Sequence, residues 1–217
     1  MIVVIQCAAK KKPYAGYLCR PDGQKVLFVA DPASAPTGVA HAYAMPDDIS
    51  DWDVSWRALL RAYNDGPGDN PLRLLPAWQL YENRAYKLLA DRYGLEKLYI
   101  LSAGWGLIAA DFLTPTYDIT FSPSADGYKR RRKKDRYDDL CMLPENSEEP
   151  VVFFGGKDYV SLFCRLSNHS KGPRYLFYNS ANAPEAPGCM LKKFNTTTRT
   201  NWHYECARAF IAGEIGI

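Results

Sequence analysis

Apolar residues along the chain form four short runs, separated by longer stretches in which apolar and polar positions alternate with a helical period. The runs have no polar face, which is typical of strands buried in a parallel sheet. They occupy residues 2–5, 98–101, 151–154 and 175–178. Strands of this kind separated mostly by helices predict an α/β fold of three layers, α/β/α, with a four-stranded, mainly parallel sheet.

Helical periodicity, capping residues and turn residues place the other elements. Two β-rich runs on either side of Pro21-Asp22-Gly23 predict an inserted β-hairpin. A stretch rich in Pro, Ala and Gly, residues 31–48, predicts a surface loop. Helices are predicted after Ser50, over 76–93, over about 128–142, after Asp158 and from about Thr200.

Small and polar residues follow each of the four predicted strands. Because the carboxyl ends of parallel strands meet at one edge of a sheet, these segments are expected to line one crevice. They are residues 6–12, 102–118, 155–158 and 179–182. The second segment also carries two glycines and two carboxylates, so a ligand site is expected there.

Length and composition narrow the class of protein. At 217 residues and 47% hydrophobic, the chain can bury one sizeable core, which predicts a single domain, 1–217, with a basic insertion near 122–150. No apolar run reaches the roughly 18 residues needed to span a bilayer, so a cytoplasmic protein without a membrane partner is expected. A monomer is also expected. Six scattered cysteines lack the spacing of a zinc site, and no metal or cofactor is predicted.

Positive charge is concentrated in one segment. The net charge is +3, and residues 129–136 carry seven positive charges and one negative charge, a sum of +6, so the remainder sums to −3. A basic block beside tyrosines in an otherwise slightly acidic chain favours contact with a phosphate backbone. The predicted DNA-binding residues are Lys10, Lys11, Lys12, Lys129, Arg130, Arg131, Arg132, Lys133 and Lys134.

The stretch after the second strand resembles a signature of the YaaA family and of related bacterial and phage domains. It comprises Leu101-Ser102-Ala103-Gly104-Trp105-Gly106-Leu107, then Asp111, then Pro115-Thr116-Tyr117-Asp118. Trp105 stands where that family usually has Tyr, and Thr116 is an insertion between Pro and Tyr. The resemblance covers about 25 residues and implies a DNA-binding protein.

The order of elements is also similar to that of the uracil-DNA glycosylase superfamily, which implies a sheet with strand order 2-1-3-4. In that superfamily the first loop carries Asp-Pro-Tyr, whereas this chain has Ala8-Ala9. The water-activating acid is therefore expected from Asp118 or Asp111. Asn179 stands where that superfamily has a histidine. Two alanines in the first loop would leave room for a base larger than uracil.

Together with the first-loop alanines, these resemblances imply a DNA glycosylase that removes a bulky, modified pyrimidine, such as a glucosylated hydroxymethylated base, in anti-phage defence. Cleavage of an N-glycosidic bond needs a carboxylate, donors for the departing base and a pocket for the flipped nucleotide. The predicted catalytic residues are Asp118 and Asp111, and the predicted base-binding residues are Ser102, Trp105, Tyr117, Asn179 and Gln6.

Two other functions fit the same residues. A YaaA-like DNA-binding stress protein without turnover would need the basic surface but no poised acid. A small-molecule enzyme acting on a nucleotide would use residues 10–12 for a phosphate and Cys7 or Asp118 for chemistry. A nucleophilic lysine at Lys10, which would form a Schiff base, is a further mechanistic variant.

Overall fold

The structure is a computed structural model that describes residues 1–38 and 40–217, so Val39, in the predicted 31–48 loop, lies outside the described residues. The described part contains twelve β-strands. They are β1 (Ile2–Gln6), β2 (Leu18–Cys19), β3 (Lys25–Phe28), β4 (Ala42–Ala44), β5 (Leu75–Pro76), β6 (Leu98–Ser102), β7 (Gly106–Ala109), β8 (Leu113–Thr114), β9 (Leu140–Cys141), β10 (Val151–Phe154), β11 (Arg174–Tyr178) and β12 (Cys189–Lys193).

Seven strands form the central sheet, in the order β12-β11-β10-β1-β6-β7-β9. The four strands that the sequence predicts, β1, β6, β10 and β11, are neighbours in this sheet and run parallel. The α/β class with a mostly parallel sheet is therefore confirmed.

The sheet is larger than the predicted four strands. β7 folds back antiparallel on β6 through a tight turn, and β9 pairs with β7. β12 adds a parallel edge strand beside β11. β9 and β12 were missed for a physical reason: β9 has only two residues, and β12 is a partly exposed edge strand that ends in two lysines, so neither forms an apolar run.

The predicted hairpin is present, because β2 and β3 pair antiparallel. The segment 31–48, predicted as a surface loop, contains a β-strand. Its residues Ala42–Ala44 form β4, which pairs in parallel with β3 and completes a three-stranded sheet.

Five α-helices accompany the sheets in the described residues. They are α1 (Trp56–Asp65), α2 (Ala77–Leu80), α3 (Arg84–Tyr93), α4 (Lys157–Leu166) and α5 (Trp202–Ile211). α3 and α5 pack against each other, α3 also contacts β1 and β6, and α5 contacts β10. α4 contacts β7.

Helix boundaries differ from those predicted. α1 begins after Ser55, whose hydroxyl accepts the N–H of Ala58, rather than after Ser50. The predicted helix 76–93 is divided into α2 and α3, because Asn83 caps a new helix with its side chain.

The predicted helix at 128–142 is wrong. The segment contains one short 3₁₀ turn, Gly127–Lys129, and then irregular chain up to β9. Like charges on neighbouring turns disfavour a helix in this basic run. Arg131 and Tyr137 are also buried while Arg132 is exposed, a pattern that follows contacts with the core rather than a helical face. Among the described helices, none combines the length and apolar character needed to cross a bilayer.

Candidate functional site

A crevice of about 630 Å³ opens at the carboxyl ends of β1, β10 and β11. This is the position at which open parallel sheets bind ligands. Side chains from β1, from the segment after Asp118, from α4 and from α5 surround it. Its lining includes Gln6, Cys7, Ala8, Ala9, Thr120, Ser122, Gly155, Gly156, Lys157, Asp158, Tyr159, Tyr178, Asn179, Ser180, Arg199, Trp202, His203 and Tyr204.

Two of the predicted base-binding residues, Gln6 and Asn179, lie in this crevice. The side-chain oxygen of Gln6 accepts the N–H of Gly156 at 2.6 Å. The NH₂ group of the same amide is the donor that could bind a ligand. Asn179 Nδ2 donates to Thr198 O at 3.2 Å, which holds this amide on its loop. Two amides therefore face one cavity from different strands.

The first loop contributes small side chains, as the enlarged-pocket hypothesis requires. Ala8 and Ala9 both line the crevice. Larger residues at these positions would occupy part of the space between β1 and the rest of the wall.

Aromatic side chains form another part of the crevice. Trp202, His203 and Tyr204 begin α5, and the His203 and Tyr204 rings lie 4.1 Å apart between centroids. Tyr159, from α4, lies with its hydroxyl 3.2 Å from Cys7 Sγ. These four side chains are only 3–7% exposed, so a small part of each borders the crevice.

His203 is the most unusual titratable group of the crevice. It is only 3% exposed, and its Nε2 atom has no hydrogen-bond partner among the described residues. Burial lowers the pKa of His203 from 6.5 to about 4. The imidazole is therefore neutral at pH 7.

The low pKa of His203 makes stability depend on pH. Its folded-state pKa lies below the unfolded value, so the stabilisation is complete above about pH 6.5 and is lost as pH falls toward 4. At pH 5 we expect this residue to lower the free energy of unfolding by about 2 kcal/mol relative to pH 7.5. Urea denaturation of wild type and His203→Gln at both pH values measures the difference.

A matched control for His203→Gln is His169→Gln, because His169 is exposed. His203→Gln should lose about 2 kcal/mol of the stability difference between pH 7.5 and pH 5, and His169→Gln controls for replacing a histidine at an exposed position. Equal pH dependence in all three proteins would contradict the assignment.

Three predicted base-binding residues do not lie in the crevice. Ser102, Trp105 and Tyr117 are each at most 1% exposed. Ser102 Oγ donates to Tyr117 OH at 2.9 Å and accepts the N–H of Trp105 at 3.1 Å. Trp105 packs edge-on against Phe28, at 5.0 Å between ring centroids. The prediction that they bind a base is therefore corrected: they form the β6–β7 turn and its support.

Two buried arginines hold the backbone of that turn. Arg57 donates to Gly104 O and to Trp105 O, each at 3.0 Å. Arg131 donates to Ala103 O at 2.8 Å and pairs with the buried Asp139 at 2.6 Å. Three successive carbonyls thus have guanidinium donors. Arg131, at 3% exposure, is not available to DNA, which corrects its predicted role.

Gly106, at the end of the turn, is required by its surroundings. Its φ is +93°, and a Cβ atom there would lie 2.4 Å from Leu140 O. The glycine that resembled part of a ligand-binding loop thus allows β9 to approach β7 closely.

The two predicted catalytic acids lie apart. Asp111 is exposed and lines a separate groove with Arg61, Asn64 and Cys141, outside the crevice. Asp118 lies two residues before Thr120, which does line the crevice. Its carboxylate is 36% exposed and pairs with Lys129 at 3.1 Å. Asp118 is therefore next to the crevice wall rather than in it, and Asp111 belongs to another surface.

The three lysines of the first loop have different surroundings. Lys10 is exposed and pairs with Glu82 at 2.7 Å. Lys11 Nζ lies 4.1 Å from the centroid of the Tyr117 ring and donates to Ala9 O at 3.2 Å. Burial lowers the pKa of Lys11, against the opposing effect of Cys7 and Asp118. Lys12 is half-buried. Lys11, rather than Lys10, thus lies beside both Asp118 and the first-loop residues Ala8 and Ala9.

A basic groove adjoins the crevice. Arg132, Lys133, Lys134 and Arg136 line it together with Arg165 of α4. Asp158 lines both the groove and the crevice. Arg132, Lys133 and Lys134 are exposed, whereas Lys129 is bound by Asp118 and Asp126 and Arg130 is half-buried. The free positive charge of the predicted block is therefore concentrated in residues 132–136.

Residues 201–204 were missed as site residues. His203 has no motif around it in the sequence. One signal existed: these aromatic residues begin a helix shortly after the loop of the fourth strand, and in a parallel sheet that loop lies at the ligand edge.

The chain was compared with protein-family models, with curated proteins and with solved structures, and none of the three comparisons found a match. The resemblances to the YaaA family and to the uracil-DNA glycosylase superfamily therefore stay predictions from the residues themselves.

Proposed function

We propose that the protein is a DNA glycosylase that binds a bulky, modified pyrimidine in the crevice and hydrolyses its N-glycosidic bond. The observation that carries the proposal is the crevice itself: two amides, an aromatic wall and small first-loop residues share one cavity at the carboxyl edge of the sheet.

The shape and chemistry of the crevice suit a flipped base. Its volume of about 630 Å³ is within the range of about 300–1,000 Å³ common for ligand pockets. Gln6 and Asn179 offer the donors and acceptors that read a base edge, and the half-buried Tyr178 is the aromatic residue proposed to stack on the base. Ala8 and Ala9 leave space for a substituent on the pyrimidine.

Asp118 is the carboxylate proposed to act on the sugar. Hydrolysis passes through an oxocarbenium-like transition state, so a nearby negative charge stabilises it and can orient water. Lys11 and Lys129 flank Asp118 and supply positive charge for the phosphates of the target nucleotide. Engagement of DNA is proposed to release Asp118 from Lys129 and bring it toward the base.

The basic groove supplies the contact with the DNA backbone. Arg132, Lys133 and Lys134 are exposed and lie on a groove that meets the crevice at Asp158. A duplex bound along this groove would present an extruded nucleotide to the crevice. The parallel arrangement of β1, β6, β10 and β11 supports a core like that of the uracil-DNA glycosylase superfamily, which we include in the proposal.

One observation favours an alternative, a DNA-binding protein without turnover. Asp118 is paired with Lys129 and lies outside the crevice wall, and Asp111 lies on another surface. Such a protein would bind DNA through the same basic groove but would form no abasic sites.

Formation of abasic sites separates these functions. Duplexes that carry glucosylated hydroxymethylcytosine, hydroxymethylcytosine or cytosine are incubated with the protein and then cleaved with alkali. If the protein is a glycosylase, we expect strand cleavage at the bulky base and at least about tenfold less strand cleavage at cytosine. Binding to all three duplexes without cleavage would support the alternative.

Asn179 provides a test of the crevice as the base site. We expect Asn179→Ala to lower the single-turnover rate on the bulky base by about tenfold, because one hydrogen bond to the base is lost. Asn182→Ala is the matched control, since Asn182 is exposed on the same loop and its side chain is outside the crevice lining. Equal rates for wild type and Asn179→Ala would place base recognition elsewhere.

A further inference from the structure

Two of the six cysteines face each other where α4 meets the start of β12. Cys164 lies on α4 and Cys189 is the first residue of β12, and their sulfur atoms are 3.7 Å apart. A disulfide needs a sulfur separation of about 2.05 Å, so the two sulfurs would have to approach by less than 2 Å to be joined. Both thiols are free in this structure.

Arg174 holds the two backbones that carry these thiols. Its guanidinium donates to Cys164 O at 3.2 Å and to Pro187 O, two residues before Cys189, also at 3.2 Å. It lies against Gly188, where a Cβ atom would meet Arg174 Nη2 at 2.2 Å. Arg174 thus links the backbone of α4 at Cys164 to the backbone just before Cys189.

The chemical states of the two sulfurs differ. Contact with the Cys164 thiol, together with the nearby Arg174 guanidinium, lowers the pKa of Cys189, whereas the same contact and burial raise the pKa of Cys164. Cys189 is half-buried and Cys164 is 7% exposed. A thiolate with a neighbouring thiol is the arrangement of a nucleophilic and a resolving cysteine.

We propose that Cys164 and Cys189 are a site of reversible oxidation, which hydrogen peroxide converts to a disulfide. The Cys189 thiolate attacks one peroxide oxygen, the O–O bond breaks, and with one proton the products are a sulfenic acid and water. The Cys164 sulfur then attacks the sulfenyl sulfur, the S–O bond breaks, and the thiol proton leaves with the hydroxyl as a second water. The two thiols lose two electrons and the peroxide gains them.

The disulfide would act on the crevice through the β11–β12 connection. Residues 179–188 contribute Asn179, Ser180 and Pro184 to the crevice wall, and they end at Cys189. A covalent bond to α4 fixes the end of this segment to the helix whose first turn also lines the crevice. The proposal does not depend on the reaction that the crevice performs.

Peptide mass spectrometry tests the site. The reduced, full-length protein is treated with one equivalent of hydrogen peroxide, the free thiols are alkylated, and the protein is digested with trypsin without reductant. We expect a product that joins residues 158–165 to residues 175–192, at about 2 Da below the sum of the reduced peptides. Dithiothreitol should remove it. We also expect the oxidised protein to melt about 5 °C higher.

Cys189→Ser and Cys141→Ser complete the test. Cys189→Ser should form no cross-link and show no change in melting temperature on oxidation. Cys141→Ser should behave as wild type, since Cys141 is exposed and its thiol donates to Leu166 O. Oxidation of wild type at other cysteines, with Cys164 and Cys189 still alkylated as free thiols, would overturn the proposal.

Discussion

Replacing Arg131 with methionine is expected to lower the free energy of unfolding by about 3–5 kcal/mol. The change leaves Ala103 O without its donor and removes one partner of Asp139, whose side chain is fully buried. Arg165 also pairs with Asp139 but is half-exposed, so it only partly compensates. The stacking of Arg131 on Tyr137, at 3.8 Å, is lost as well. Guanidinium chloride denaturation monitored by tryptophan fluorescence measures the change.

The neighbouring residue is a matched control for Arg131→Met. Arg132 is exposed on the basic groove, so Arg132→Met should change stability by no more than about 0.5 kcal/mol. The two substitutions remove the same charge one residue apart. If they destabilised the protein equally, Arg131 would not have the structural role that its contacts indicate.

A double variant separates the buried charge from lost packing. Arg131→Met with Asp139→Asn removes both members of the ion pair, and it should recover part of the stability lost in Arg131→Met. No recovery would mean that the loss comes from the Ala103 contact and the stacking on Tyr137 rather than from the unpaired Asp139 carboxylate.

The buried strands could be predicted because each consists of consecutive apolar residues. This pattern can be recognised without any knowledge of long-range contacts. β1 and β10 are examples. The edge strand β12 could not be predicted, because an edge strand in contact with solvent needs no apolar pattern. Lys192 and Lys193 also make its sequence more typical of a loop. The basic run at 129–136 was predicted as a helix because charge and composition do not show which arginine is buried.

The candidate site could be predicted at the level of strand ends but not of side chains. Gln6 and Asn179 were placed correctly in one crevice, since parallel strands end at one edge. The end of the second predicted strand does not form a ligand loop, contrary to the prediction. The chain turns at Gly106 directly into the antiparallel strand β7, and Ser102 and Trp105 are buried in this turn. A motif of small residues and glycines is compatible with both a ligand loop and a tight hairpin, and only long-range contacts, such as those of Arg57, separate them.

Asp118→Asn is expected to reduce the single-turnover rate of base release by about 10²-fold to 10⁴-fold while DNA binding changes little. The amide keeps the size of the side chain but removes the negative charge that the proposed mechanism places near the sugar. Rates on the duplex with the bulky base, measured with protein in excess, report the chemical step, and a fluorescence anisotropy titration reports binding.

Asp126→Asn is the matched control for Asp118→Asn, because both carboxylates pair with Lys129. Asp126 pairs with Lys129 at 3.0 Å, as Asp118 does at 3.1 Å, but Asp126 is 64% exposed. Both variants therefore free Lys129 from one carboxylate, and only Asp118→Asn removes the carboxylate that also acts on Lys11. A large loss confined to Asp118→Asn would support a direct role in the reaction. Equal losses in the two variants would show that Asp118 acts only by positioning Lys129, and unchanged product in both would remove Asp118 from the mechanism.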